Sequence, residues 1–162
     1  MAKLDDARRA LLNGRHIASF ATTNADGTLH VVPIWYLFEN DRIYVESHSG
    51  SLKVRNVSAR PTASLMVDTR RPGTERWLSA AGPTEIIRGE HAQSINARIR
   101  QRYLTKAAID DPRIGPVFAA VDDVTIAVTP QTWRAWDMES VDIQYFGGVM
   151  GKTPEKWYLP LD

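Results

Sequence analysis

The chain has 162 residues, 43% hydrophobic and 24% charged, with 20 basic against 19 acidic side chains and a formal net charge of +1. That describes one domain with room for a real core, and a charge balance that gives no general affinity for nucleic acid or a membrane surface. The lack of cysteine excludes disulfides, thiolate metal sites and cysteine nucleophiles.

The N-terminal MAKLDDARRALLNG is charged and amphipathic, without the apolar centre of a signal peptide. No apolar run approaches membrane-spanning length, so the chain is expected in the cytoplasm. Leu4, Ala7 and Leu11 at helical spacing, Asp5 and Asp6 in the first turn and Gly14 as a stop predict a helix over 4–13. His16 to Thr22 reads as a strand, and Asn24-Ala25-Asp26-Gly27 as a turn. Thr28 to Phe38 reads as one long strand, apolar on both faces, so both faces are expected to be covered. Glu39-Asn40-Asp41 turns the chain into a further strand, Arg42 to Ser47.

After the loop His48-Ser49-Gly50, Ser51 suits the N-cap of a helix through Ala59, which Pro61 ends. Thr62 to Asp68 alternates, with Ala63, Leu65 and Val67 on one side. Two short strands follow, Thr74–Ala81 and Thr84–Ile87, interrupted by Gly82-Pro83. Glu90 to Tyr103 is the longest helix, and a broken helical piece is expected between Thr105 and Val121. Val124 to Trp136 reads as the last strand. Hairpin-connected strands with helices inserted between them predict a mainly β protein with α elements, a small antiparallel barrel with peripheral helices. Residues 1–136 form this domain, and 137–162 an aromatic-bearing extension packed on the barrel or on a partner.

Two features carry chemistry. The Ser-rich loop before the helix offers hydroxyls and free N–H groups next to Lys53 and Arg55, which suits a phosphate; the bland alternative is two cations on an exposed helix. Pro33 sits among large apolar residues in the preceding strand, where it cannot donate to a neighbour. The four histidines have no ligand spacing, so no metal site is expected. The run Gly147-Gly148-Val149-Met150-Gly151-Lys152-Thr153 looks like a phosphate-binding loop, but Phe146 occupies the position of its first glycine, and the run reads as a turn.

Four stretches, ASFATTNADGTLHVVPIWY, DRIYVESHSGSLKVRN, RPTASLMVD and TIAVTPQTWRAW, in this order and spacing, resemble the flavin-binding split-barrel family typified by pyridoxamine phosphate oxidase. Within it the chain is most similar to the branch that uses the 8-hydroxy-5-deazaflavin coenzyme F-420. The resemblance implies a homodimeric oxidoreductase, with the coenzyme site shared between subunits and a small, conjugated substrate. FMN is the alternative coenzyme, and a non-catalytic flavin or haem carrier the alternative role. Val32, Pro33, Ile34 and Trp35 would flank the ring, while His48, Ser49, Ser51, Lys53, Arg55 and Asn56 would surround the ribityl chain and phosphate. Trp77 and Trp136 would close the ring pocket from the other subunit, and Arg60, Arg70, Arg71 and Arg76 would meet the polyanionic tail of F-420. The catalytic proton donor stays open among Tyr36, His48 and water. Two departures count against pyridoxamine phosphate oxidation itself: Ser51-Leu52-Lys53 replaces the oxidase's Ser-Arg-Lys, and its C-terminal Arg/His pattern is missing.

Overall fold

The computed structural model describes residues 4–160. Residues 1–3 and 161–162 of the two predicted segments lie outside the described residues. The first helix, α1 (Asp6–Asn13), is capped by the Asp5 carboxylate, which accepts from Arg8 N at 2.8 Å. Strands β1 (Ala18–Thr23) and β2 (Leu29–Ile34) form a hairpin around a turn in which Gly27 takes φ 86°, a value that favours glycine. Then come β3 (Tyr36–Glu39), β4 (Arg42–His48), α2 (Leu52–Ala59), β5 (Thr62–Thr69) and β6 (Arg76–Arg88). Helices α3 (Gly89–Tyr103), α4 (Lys106–Asp110) and α5 (Gly115–Ala119) separate β6 from β7 (Asp123–Val128) and β8 (Thr132–Asp137). Two further turns of helix, α6 (Met138–Val141) and α7 (Pro154–Trp157), lie in the C-terminal segment.

All strand pairs are antiparallel, in the order β2-β1-β5-β6-β7-β4-β3, with β8 also on β6. The sheet curls into a half-barrel with helices at its periphery, a split barrel. Strand β6 joins the two halves: residues 76–83 pair with β5, and residues 84–88 pair with β7. At the changeover a Cβ on Gly82 would collide with the carbonyl of Thr129, so the bend needs the bare backbone that glycine gives. Inside the barrel Phe20, Tyr36, Ile43, Val45, Leu65, Leu78 and Ile126 are closed over by Leu12 of α1 and Val57 of α2. Each such side chain contributes about 1.5–3 kcal/mol by leaving water. A second cluster lies outside the sheet, where Ala92, Ile95 and Ile99 of α3 cover Tyr44, Ile87 and Ala127.

Four expectations are corrected. The stretch predicted as one strand over 28–38 is two, because the chain leaves β1 at Ile34 and joins β4 at Tyr36, with Trp35 between. The predicted strand over 124–136 is also two: Thr129-Pro130-Gln131 carries the chain from the β4 side of the barrel to the β6–β8 side. Conversely, Gly82-Pro83 bends β6 without ending it. The outer face of β2 is not covered by its own chain, since β2 ends the strand order and leaves Leu29 68% and Val31 56% exposed.

The C-terminal segment folds back on the β5–β6 loop. Met138 N donates to Glu75 O at 2.7 Å, and the buried Asp142 carboxylate accepts from Met150 N at 3.1 Å and Gly151 N at 2.8 Å. The phosphate-loop look-alike is a turn here, with Gly147 and Gly148 both at positive φ.

Candidate functional site

The break between β2 and β3 is pinned from α3. Tyr103 donates its hydroxyl to His16 O at 2.8 Å and accepts from Tyr36 N at 3.4 Å, while its ring stacks on Trp35 at 5.1 Å between centroids and 3° between planes. Tyr36 turns into the barrel, where its hydroxyl donates to Leu12 O at 2.8 Å. Trp35 is left at the mouth of a cleft of about 370 Å³, lined by Ile17, Pro33, Ile34, Trp35, Glu46 and Phe118. Pro33 stands opposite Ser19 on the terminal strand, so the far edge of β2 offers main-chain groups to whatever lies beside it. Val32 packs its side chain against the barrel core.

Strand β4 carries the polar end of the site. Beyond the exposed His48 and Ser49, the Ser51 hydroxyl caps α2 by accepting from Val54 N at 3.3 Å, and it shares a 2.7 Å hydrogen bond with Ser47 Oγ. Lys53 is half-buried in the first turn; burial lowers its pKa and the nearby Glu46 carboxylate works against that. Glu46 belongs to a largely buried network assembled from β4, α3 and β7. Its Oε1 accepts from Arg100 Nε at 2.7 Å and lies 2.6 Å from Nη2. Arg100 also donates from Nη2 to Asp123 Oδ1 at 2.6 Å and from Nη1 to Phe118 O at 3.3 Å. Asn96 completes the frame by donating to the same Asp123 oxygen at 2.8 Å. Burial raises the Glu46 pKa, and the Arg100 hydrogen bond opposes it.

The predicted residues therefore divide. Pro33, Ile34 and Trp35 share the cleft with Glu46, whose carboxylate also acts on Lys53. Arg55 lies apart, in a hollow of about 560 Å³ with Asn24, Asp26, Leu52 and Arg60. Asn56 is buried with its amide committed to Thr22 Oγ1 at 3.0 Å and Asn24 Oδ1 at 2.9 Å, tying α2 to β1. Trp77 and Trp136 are cross-strand partners of β6 and β8, beside Arg8 and Arg76 near α1. Of the other arginines, Arg70 is paired with Asp68 at 2.6 Å, and Arg60 donates to Ala25 O at 3.2 Å. Tyr36, one of the candidate proton donors, is enclosed in the barrel with its hydroxyl bonded to Leu12 O, and burial raises its pKa. Sequence reasoning missed Glu46, although a lone acid within the apolar run Ile43-Tyr44-Val45-Glu46 was a signal for it.

No described helix is long and apolar enough to cross a membrane. A search of curated proteins gives no match. Among solved structures, the conserved hypothetical protein Rv2991 from Mycobacterium tuberculosis superposes with TM-score 0.70 at 21% identity, covering 86% of this chain and 88% of that one. A protein described as an F-420 reductase gives 0.64 at 24% identity, covering 81% of this chain and 98% of its own. HutZ, the haem storage protein of Vibrio cholerae, gives 0.62 at 14%, covering 83% and 94%. These likenesses establish the fold. The family model described as pyridoxamine 5'-phosphate oxidase matches residues 4–137, from α1 through the whole barrel, and the chain belongs to that flavin-binding split-barrel family.

Proposed function

We propose that the protein is an F-420-dependent oxidoreductase that passes hydride between the reduced coenzyme and a small conjugated substrate. The observation that supports this reading is the apolar cleft lined by Pro33, Ile34, Trp35 and Glu46, the last on the strand that leads to the Ser51-capped start of α2 and to Lys53. Its volume of about 370 Å³ falls in the range of small-molecule sites, about 300–1,000 Å³. The edge of β2 and the Trp35 ring suit a planar ring, and the helix N-terminus with Lys53 suits its phosphate. The coenzyme supplies the hydride chemistry when bound. The chain supplies orientation and exclusion of water through Ile17, Trp35 and Phe118.

A homodimer belongs to the same reading. The exposed Leu29 and Val31 of β2 are suited to burial against a second copy, which would also bring Trp77 and Trp136 toward the partner's cleft. FMN is the second reading, favoured by one observation. Arg60 and Arg70 are engaged with Ala25 and Asp68, away from the cleft, and FMN has no polyanionic tail to need them.

The test is direct. Mass spectrometry of the ligand released from purified protein distinguishes F-420 from FMN, and reduced F-420 with a panel of conjugated acceptors measures turnover. F-420 binding at micromolar concentration with acceptor reduction is expected; failure to bind either coenzyme would leave the carrier role in its place.

A further inference from the structure

The geometry points to Glu46 as the side chain that holds a proton for transfer within the cleft, with Arg100 and Asp123 as its positioning frame. The inference rests on the cleft being the coenzyme and substrate site, and goes on to name the acid that serves it. Glu46 is the one ionisable residue among the six that line the cleft; the other five are apolar or aromatic. The Arg100 Nε hydrogen bond and the close Nη2 approach both fall on Oε1, and among the described residues Oε2 has no hydrogen-bond partner. A proton on this carboxyl therefore belongs on Oε2, the oxygen free to meet a ligand.

The charges around it divide: Arg100 and Lys53 favour the carboxylate, while burial, the largest effect, and the Asp123 carboxylate favour the proton. Arg100 from α3 stands between two carboxylates, Glu46 on β4 and Asp123 on β7, so one guanidinium faces two acids. Lys53 from α2 is the remaining cation acting on Glu46, and α5 presents the Phe118 carbonyl, which accepts from Arg100 Nη1, and the Phe118 ring, whose centroid lies 5.0 Å from the Arg100 guanidinium carbon. Asp123 Oδ1 also receives the Asn96 amide, and Asp123 is not among the residues that line the cleft. Glu46 is the carboxyl that faces the cleft, and burial raises its pKa. An anionic phosphate at Lys53 draws that ammonium's field away from Glu46 and strengthens its hold on the proton. In the transfer the Oε2–H bond breaks, its electron pair stays on the carboxylate facing Arg100, and a lone pair on the acceptor atom forms the new bond to hydrogen. Solvent restores the proton.

The experiment has two parts. Carbon-13 NMR of glutamate-labelled protein, with the Glu46 carboxyl assigned through the β4 backbone, follows its titration first without ligand and then with FMN or F-420. A midpoint above ordinary glutamate without ligand, rising further when either coenzyme binds, is the expected result. A midpoint at or below ordinary glutamate in the ligand-free protein overturns the inference whether or not a coenzyme binds. The second part compares wild type with Glu46→Gln, which keeps size and a hydrogen-bond acceptor for Arg100. Coenzyme affinity is expected to stay within about threefold, while turnover falls about 10²–10⁴-fold, the usual contribution of a general acid, and loses its alkaline decline. Equal turnover and an unchanged pH profile in Glu46→Gln overturn the inference and leave the coenzyme reading standing. Wild-type protein that binds neither FMN nor F-420 overturns that reading, and the transfer role of Glu46 with it.

Discussion

Strands β2 and β7 carry the same aliphatic load, four side chains in six residues each, Leu-His-Val-Val-Pro-Ile against Asp-Val-Thr-Ile-Ala-Val. Their fates differ completely. Every residue of β7 is buried, because β4 and β6 flank it, the barrel core fills one face and α3 closes the other. β2 alternates between exposed and half-buried, because it ends the strand order and has β1 as its one neighbour. Apolar content thus records that a strand will be covered, while topology decides whether its own chain covers it. What β2 leaves open is the edge on which the proposed ring site and the proposed second subunit depend.

The comparison breaks most visibly under truncation. Ile126→Ala is expected to cost about 2–5 kcal/mol, the range for emptying a packed core site, as read by urea unfolding. Val31→Ala, on the exposed face of β2, is expected to stay within about 0.5 kcal/mol in dilute protein. If a second copy covers that face, its effect will grow with protein concentration, because assembly adds to apparent stability by mass action. A large, concentration-independent loss in Val31→Ala would mean that β2 is enclosed within one chain.

Gly82→Ala sharpens the same contrast, since the bend at Gly82 is what lets β6 serve both β5 and β7. The new methyl collides with a backbone carbonyl and has no side chain to push aside. A loss of about 1–3 kcal/mol is expected, as for other overpacked sites, with the transition midpoint in urea as the measure. Unchanged stability would show that β7 does not depend on that close approach.

Lys53 and Arg55 test the open side. A charge-assisted hydrogen bond is worth about 1.5–3 kcal/mol, so Lys53→Ala should weaken coenzyme binding by about tenfold or more. Arg55→Ala, in the separate hollow with Arg60, should change affinity by less than about threefold, within what exposed ion pairs contribute. Fluorescence titration with FMN and F-420 reads both, and reversed magnitudes would move the phosphate to the Arg55 hollow.

Much of the frame was legible from local chemistry. Ser51 caps α2 as its position suggests, Asp5 caps α1 where a first-turn place was expected, and the buried alternation of Ala63, Leu65 and Val67 reads directly off β5. The break at Trp35 was not legible, because residues on both sides are extended and apolar and the change lies in which strand they pair with. Pro130, between β7 and β8, was a signal passed over. Within the site, Pro33, Ile34 and Trp35 are sequence neighbours and come together in the cleft. Arg55 parts from Lys53 because two residues along a helix point to different faces. The Glu46–Arg100–Asp123 frame joins residues from three distant segments, so neither periodicity nor motif spacing reveals it.

The smallest effect probes a charge beneath the enclosed half of the molecule, since Glu46 pairs in register with Thr125 of β7. Its raised pKa means the folded protein holds the Glu46 proton more tightly than the unfolded chain does. The stability this contributes is fully present below the ordinary glutamate range and is lost as pH rises through the folded value. Gln at this position cannot ionise, so Glu46→Gln escapes that loss. Unfolding free energies measured in parallel should therefore shift in favour of Glu46→Gln as pH rises from mildly acidic to neutral. The shift should reach no more than about 1 kcal/mol, because the carboxyl is only partly buried and solvent screens it. A shift of the opposite sign would mean that Arg100 stabilises the carboxylate by more than burial opposes it, and the proton would then have to be sought elsewhere in the cleft.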